Sequence, residues 1–338
     1  MNLILFTIIG IILIILIHYV QYKFGFLLDS NLNHKIKSKN QTALSGGIFF
    51  LVTILIAKFI FDLDIDFKLY LTLALFFILG FYSDTIPFLS PKLRLFLQII
   101  LLSIFIFFNN IEINKTNIFF IDPLLTNYLF NFSFALLCTV VLLNGSNFAD
   151  GVNINLIGYY LIVIYLIFLN SNDNNYLIYY IIIFSIFLIF NLFGKCFLGD
   201  NGVYVISVLI SFIVINFMNQ NNLNSIIAIN ILWYPAFENL FTVLRRLINN
   251  ISLDKPDRRH LHTLIYKLIS KKIKNNLFAN SLTGFLLNFY NLTSLYLSFK
   301  YAYNLQILFL IIIVNIMTYL IVYFKVLNIL SSLELLRK

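Results

Sequence analysis

Apolar positions in this chain do not alternate with polar ones; they run on in long unbroken stretches. The first, "NLILFTIIGIILIILIHYV" from Asn2 to Val20, gives way to polar "QYKFG" and is long enough to cross a bilayer. It has no basic residues ahead of it and no small-residue cleavage site behind it, so it reads as a retained helix rather than a signal peptide. Ten more runs follow, centred on 45–61, 68–82, 93–109, 128–143, 156–170, 177–193, 202–218, 223–240, 279–299 and 302–324. Continuous apolar runs without a period of two select helices over a barrel. The pattern therefore predicts an all-α fold: a polytopic integral membrane helical bundle of about eleven transmembrane helices, with residues 1–338 forming one transmembrane domain.

Composition agrees, since 61% hydrophobic and 11% charged residues exclude an ordinary soluble protein. The net charge of +9 is unevenly placed. Lys23, Lys35, Lys37, Lys39, Lys92, Arg94, Lys195, the run from Arg245 to Lys274, and Lys325, Arg337 and Lys338 fall in one set of alternate loops and the C-terminus. The other set keeps Lys68, Lys115 and Lys300 among several acids. By the positive-inside rule the basic side is cytoplasmic, with the N-terminus outside and the C-terminus inside. The same rule explains the basic charge without nucleic acid, which is not expected as a partner.

Chemistry-bearing residues share that side. His34, Asp84, Asp150, Asp200, Asp254, Asp257, His260 and His262 all belong to the inner loops, as an enzyme joining a cytoplasmic substrate to a lipid requires. A transporter would instead place ionisable groups at mid-membrane and break helices in paired halves.

Four stretches carry the signal. In "GFYSDTIPFLSPKLRLFLQ", Asp84 ends one span while Lys92 and Arg94 begin the next, suiting a divalent metal and phosphate oxygens; a solvated turn with snorkelling cations fits equally well. In "NGSNFADGVN", Asn144, Asn147, Asp150 and Asn153 recur every three residues. They share one face if the helix continues, and crowd one site if the chain turns at Gly151. Their hard oxygens suit Mg²⁺, although Asn is abundant throughout and compositional bias is the plain alternative. "NLFGKCFLGDNG" sets Lys195 and Asp200 among glycines that let backbone approach an anion, or simply make a tight turn. "DKPDRRHLHTLIYK" puts Arg258 and Arg259 beside His260 and His262, a compact donor set for a pyrophosphate. Acid, amide, cationic and imidazole clusters on one membrane face describe metal-dependent phosphoryl chemistry.

These residues resemble the polyprenyl-phosphate N-acetylhexosamine-1-phosphate transferases, glycosyltransferase family 4, which start bacterial surface-glycan assembly. "NGSNFADGVN" resembles the family's Asn-x-x-Asn-x-x-Asp-Gly, "GKCFLGDNG" its Lys-x-Phe-x-Gly-Asp-x-Gly, and "PDRRHLH" its Pro-Asp-Arg-x-His-x-His. "KIKSKNQTALSGG" resembles, more weakly, its first inner loop and Gly-Gly helix start.

The resemblance implies a single catalytic domain in the bacterial inner membrane. It would transfer an N-acetylhexosamine 1-phosphate from a UDP-sugar to undecaprenyl phosphate and release UMP, at the start of an O-antigen, capsule or teichoic-acid type glycan. Mg²⁺ is the implied cofactor, with Mn²⁺ an acceptable substitute, and a homodimer is compatible. By the same resemblance Asp200 and Asn147 are metal ligands, and Asp84 and Asp150 catalytic acids. Asn153 contacts the uracil, and Lys195, Arg258, His260, His262 and Lys92 hold phosphates. The family's usual pair of aspartates is Ser83-Asp84 here, and Thr263 stands where many members have another His. A multi-span transporter and an inactive scaffold of a glycan-assembly complex are the competing classes.

Overall fold

Lipid offers backbone N–H and C=O groups no partner, so apolar segments must close their hydrogen bonds internally. The computed structural model, which describes residues 2–29, 41–61, 63, 66–86, 90–171, 176–252 and 257–332, does this almost entirely with helices. In chain order these are α1 (Asn2–Phe24), β1 (Ala43–Leu44), α2 (Gly46–Ile60), α3 (Phe67–Thr85), α4 (Pro91–Phe108), α5 (Asp122–Leu125), α6 (Tyr128–Ala149), α7 (Asn155–Leu169) and α8 (Tyr176–Leu192). There follow β2 (Cys196–Phe197), α9 (Gly199–Asn221), α10 (Ser225–Ile231), α11 (Trp233–Ile248), α12 (Leu261–Lys272), α13 (Asn276–Lys300) and α14 (Leu305–Ser332).

Every expected run lies on a helix or a helix pair, but the runs are not equivalent. Among the described residues α1, α3, α4, α6, α9 and α14 are long and apolar enough to cross a membrane, six candidate spans, or seven if the bent pair α10–α11 makes one. The sequence pattern predicts eleven. The apolar α2 and α7 have 15 residues each, about 22 Å at the helical rise, which is short of a hydrocarbon core of about 30 Å. The long α13 instead buries Asn280, Ser281, Thr283, Asn288, Asn291 and Ser294.

The ninth expected run, 223–240, is not continuous: α10 and α11 meet at a 77° bend. Pro235 lacks the N–H that would close a helical bond to the carbonyl of Ile231. That carbonyl accepts instead from the Tyr159 hydroxyl of α7 at 2.8 Å. The bend sends α11 along α6, where the Pro235 carbonyl presses on Gly145.

At the centre stands α9, with 83% of its most apolar window buried, against 22% for α1, α4 and α14. Its apolar residues point in every direction because α2, α3, α6, α7 and α10 surround it. The outer helices turn Ile4, Ile8, Ile12, Ile313 and Ile321 outward, as lipid-facing surfaces do. Loop asparagines and other polar residues start the helices: Asn127, Asn224 and Asn275 cap α6, α10 and α13, and Ser90 caps α4 ahead of Pro91.

One small parallel pairing breaks the helical rule. Ala43 pairs with Cys196 and Leu44 with Phe197, which seats the start of α2 against the start of α9. Gly47 N–H then donates to Asn201 Oδ1 at 2.6 Å. The weak Gly-Gly signal thus marks a real helix start, while Lys35, Lys37 and Lys39 of the same stretch lie outside the described residues.

Candidate functional site

The end of α3 and the starts of α4 and α9 form an acid corner. Asp84, in the last turn of α3, accepts from the backbone N–H of Asp200 at 2.9 Å and of Asn201 at 3.0 Å, and from Asn201 Nδ2 at 2.5 Å. Its carboxylate therefore caps the first turn of α9, where unpaired N–H groups and the positive end of the helix dipole favour an anion. Gly199 makes this approach: its φ is +67°, and a Cβ there would lie 2.7 Å from Asp84 Oδ2.

Asp200 points the other way. Its Oδ2 accepts from Ser83 Oγ at 2.5 Å, from Arg94 at 3.1 Å and from the Tyr204 hydroxyl at 3.4 Å. No hydrogen bond to its Oδ1 occurs among the described residues. Of the two cations foreseen at the start of α4, Arg94 meets the acids and Lys92 is exposed. Ser83, where the family pattern has an acid, is a neutral donor to Asp200.

The "NGSNFADGVN" stretch is both helix and turn. Helix α6 carries Asn144 and Asn147 and ends at Ala149, Asp150 is its C-cap, and Asn153 belongs to the turn that follows. Asn144 bonds back to Val140 of its own helix, and Asn147 is half-buried.

The turn is fixed by asparagines from three helices. Asn280 of α13 accepts from Asn153 N–H at 2.7 Å, and Asn191 of α8 accepts from Ile154 N–H at 2.6 Å. Asn288 donates to the Ile154 carbonyl at 2.6 Å, and Asn155 to that of Ala149 at 2.8 Å. They hold Ile154 at φ +56°, a conformation β-branched residues rarely adopt and one that persists only where surroundings over-determine it. Asp150, Gly151, Val152, Asn153, Asn191, Phe197 and Asn280 line a pocket at this turn.

The histidine stretch closes over the turn. A side chain at Gly151 would run into the His262 ring, so the imidazole lies directly on the glycine beside Asp150. His260 and His262 stack in parallel with centroids 5.5 Å apart, and Phe148 stacks on His260 at 5.3 Å. His260 Nδ1 bonds Glu238 Oε1 at 2.9 Å, and Tyr319 donates to Glu238 Oε2 at 2.9 Å. Outside this contact Arg245 and Arg246 pair with Asp257. Burial opposes ionisation of Asp257, but nearby His260 and the bond and charge of Arg245 outweigh it, bringing its carboxyl down to about 2. Burial first, then the charges of Arg258 and Arg259, lower the Lys267 ammonium.

The foreseen residues thus gather at one end of the bundle. Asp84 meets Asp200, and Asp150 with Gly151 meets His262. The segment from Asn191 to Asp200 joins the halves, with Asn191 and Phe197 in the pocket wall and Gly199 and Asp200 in the acid corner. Lys195 and Arg258 are exposed. Asn191, Asn280, Asn288, Glu238 and Tyr319 escape sequence reasoning: the first three vanish into an Asn-rich composition, and the last two sit inside apolar runs. Glu238 had one signal, an acid in a run read as membrane-spanning.

No cluster of three or more His, Cys, Asp or Glu residues suited to a metal occurs among the described residues. Mg²⁺ does not need one, since it keeps several waters and takes one or two carboxylates plus substrate phosphates. The open Oδ1 of Asp200 fits that demand; Asp84, with both oxygens held by N–H groups, does not.

No curated protein matches the chain. Residues 67–218 match the model of glycosyl transferase family 4, a segment that holds Asp84, the α6 turn and Asp200 and stops short of the histidine stretch. Across that segment the chain is similar to glycosyl transferase family 4, the polyprenyl-phosphate sugar-1-phosphate transferases, and its apolar helices are those of a multi-pass membrane protein.

Proposed function

We propose that this protein transfers N-acetylhexosamine 1-phosphate from a UDP-sugar to undecaprenyl phosphate, releases UMP, and does so at the cytoplasmic face of a bacterial inner membrane. The observation that carries the reading is the meeting of His262 with Gly151 beside Asp150. It brings a histidine pair from outside the matched segment onto the segment's own acidic turn.

The acceptor is a phosphate monoester with a second pKa near 6, so at pH 7 it is largely dianionic and needs no strong base. The protein's work is to bring two anions together. Asp200 would hold Mg²⁺ through Oδ1, with Asn147 as the second ligand, and the ion would supply charge neutralisation for the donor pyrophosphate. Arg94 and Ser83 fix the other oxygen of Asp200. Asp84 acts through the backbone, by clamping the turn that carries Asp200.

In this reading Asp150 serves the acceptor phosphate, and Asn153, which lines the pocket with it, contacts the uracil. His260 and His262 grip the pyrophosphate, while exposed Lys92, Lys195 and Arg258 draw phosphates to the mouth. The test is turnover by purified protein given undecaprenyl phosphate and a panel of UDP-N-acetylhexosamines. UMP formed only with lipid phosphate and Mg²⁺ supports the reading, and none from any sugar overturns it.

A further inference from the structure

Glu238 lies in α11 with no solvent exposure, in a run read from sequence as apolar span. A buried carboxylate is costly unless each oxygen finds a donor. Both do: Oε1 faces His260 Nδ1 at 2.9 Å, and Oε2 accepts the Tyr319 hydroxyl of α14 at 2.9 Å. With Tyr319 bonded to one oxygen, the other oxygen of the carboxylate holds a proton at His260 Nδ1.

The ring plane is fixed as well. Phe148 lies stacked on His260 at 5.3 Å, and His262 is parallel to it within 2°. Thr242 Oγ1 lies 3.4 Å from the same Nδ1, so that edge is fully enclosed. Nε2 is then the one nitrogen left to meet a ligand, and its direction is set by residues from three helices. All of them lie outside residues 67–218 except Phe148.

We propose that Glu238, itself oriented by Tyr319, is a positioning residue that holds the Nδ1–H and the plane of His260 so that the imidazolium presents Nε2–H, a donor, to the pyrophosphate of a nucleotide-sugar. The proposal rests on the transfer reaction above for its ligand, but the Glu238–His260 hold is a property of the resting protein. Carboxylates in this supporting role orient histidine ligands in many sites, and their loss typically costs 10–100-fold.

Two measurements test it. In protein with ¹⁵N-labelled histidine and no substrate, the His260 ring nitrogens report a protonated Nδ1. Glu238→Gln shifts those signals strongly, and Tyr319→Phe, which keeps the aromatic packing, shifts them less in the same direction. Unmoved signals in folded variants overturn the proposal.

Calorimetry of UDP-N-acetylglucosamine binding with Mg²⁺ then supplies a double-mutant cycle. Glu238→Gln is expected to weaken binding about 10-fold in the native background and not at all in His260→Ala, because its effect passes through that ring. An equal loss in both backgrounds marks a merely structural carboxylate and overturns the proposal. Wild-type protein that binds no UDP-sugar removes the transferase reading, while the ring-nitrogen signals still decide whether Glu238 holds His260.

Discussion

The acid corner and the histidine corner use buried or half-buried carboxylates for opposite ends. Asp84 gives both oxygens to backbone N–H groups of α9, so it holds a helix; Glu238 gives one to the His260 ring, so it orients a side chain. The first corner lies within the matched segment, and the second lies almost wholly beyond it. A motif residue can therefore serve the fold, and a residue without a motif can decide how a motif residue points.

The contrast breaks most sharply at Asp84. Asp84→Ala leaves two backbone donors without partners at the start of α9, and should cost roughly 3 kcal/mol or more of stability together with nearly all transfer. Thermal unfolding in detergent checks this. An Asp84→Ala protein as stable as wild type but inactive would show direct chemistry by the carboxylate instead of a clamp.

A smaller effect is expected where the corners meet. Gly151→Ala drives a methyl group into His262, and displacing a group by about 1 Å can cost on the order of 10²-fold in rate. The variant should still insert and should keep the acid corner intact, so its loss should appear in turnover with little change in unfolding temperature. Unchanged turnover would separate the histidine stretch from the reaction.

The smallest expected effect lies outside both corners, at Asp257. Its folded pKa of about 2 lies below the ordinary carboxylate value, so its ionised form stabilises the fold. That contribution is complete above about pH 5 and fades as pH falls through 2. Asp257→Asn should therefore flatten the acid limb of the stability profile, an outcome read from unfolding midpoints between pH 5 and 2. Parallel profiles for variant and wild type would discount the Arg245 and Arg246 pairing.

Much of this was legible because lipid allows few solutions. Apolar runs gave helices at every expected position, and spacing gave Asp84, Asp150, Asp200 and the histidines, which the fold brings to one end. Hydropathy could not see the bend at Leu232, since Pro235 disturbs hydrogen bonding without changing polarity. Nor could it separate α9, enclosed on all sides, from α4, which faces outward at nearly the same mean hydropathy. Ile154 looked like any apolar residue, yet it adopts a left-handed backbone held by Asn191 and Asn288. In a chain so rich in asparagine, only three-dimensional placement separates those residues from the rest.

The central claim is that Asp200 holds the metal at which a UDP-sugar gives up its sugar phosphate. Its most direct test is UMP release by purified wild-type and Asp200→Ala protein, each shown to be folded, given undecaprenyl phosphate and UDP-N-acetylhexosamine with and without Mg²⁺. The prediction is Mg²⁺-dependent UMP release by wild type and a loss on the order of 10³-fold in the variant. Comparable turnover by the two proteins, or release by wild type indifferent to Mg²⁺, would contradict it.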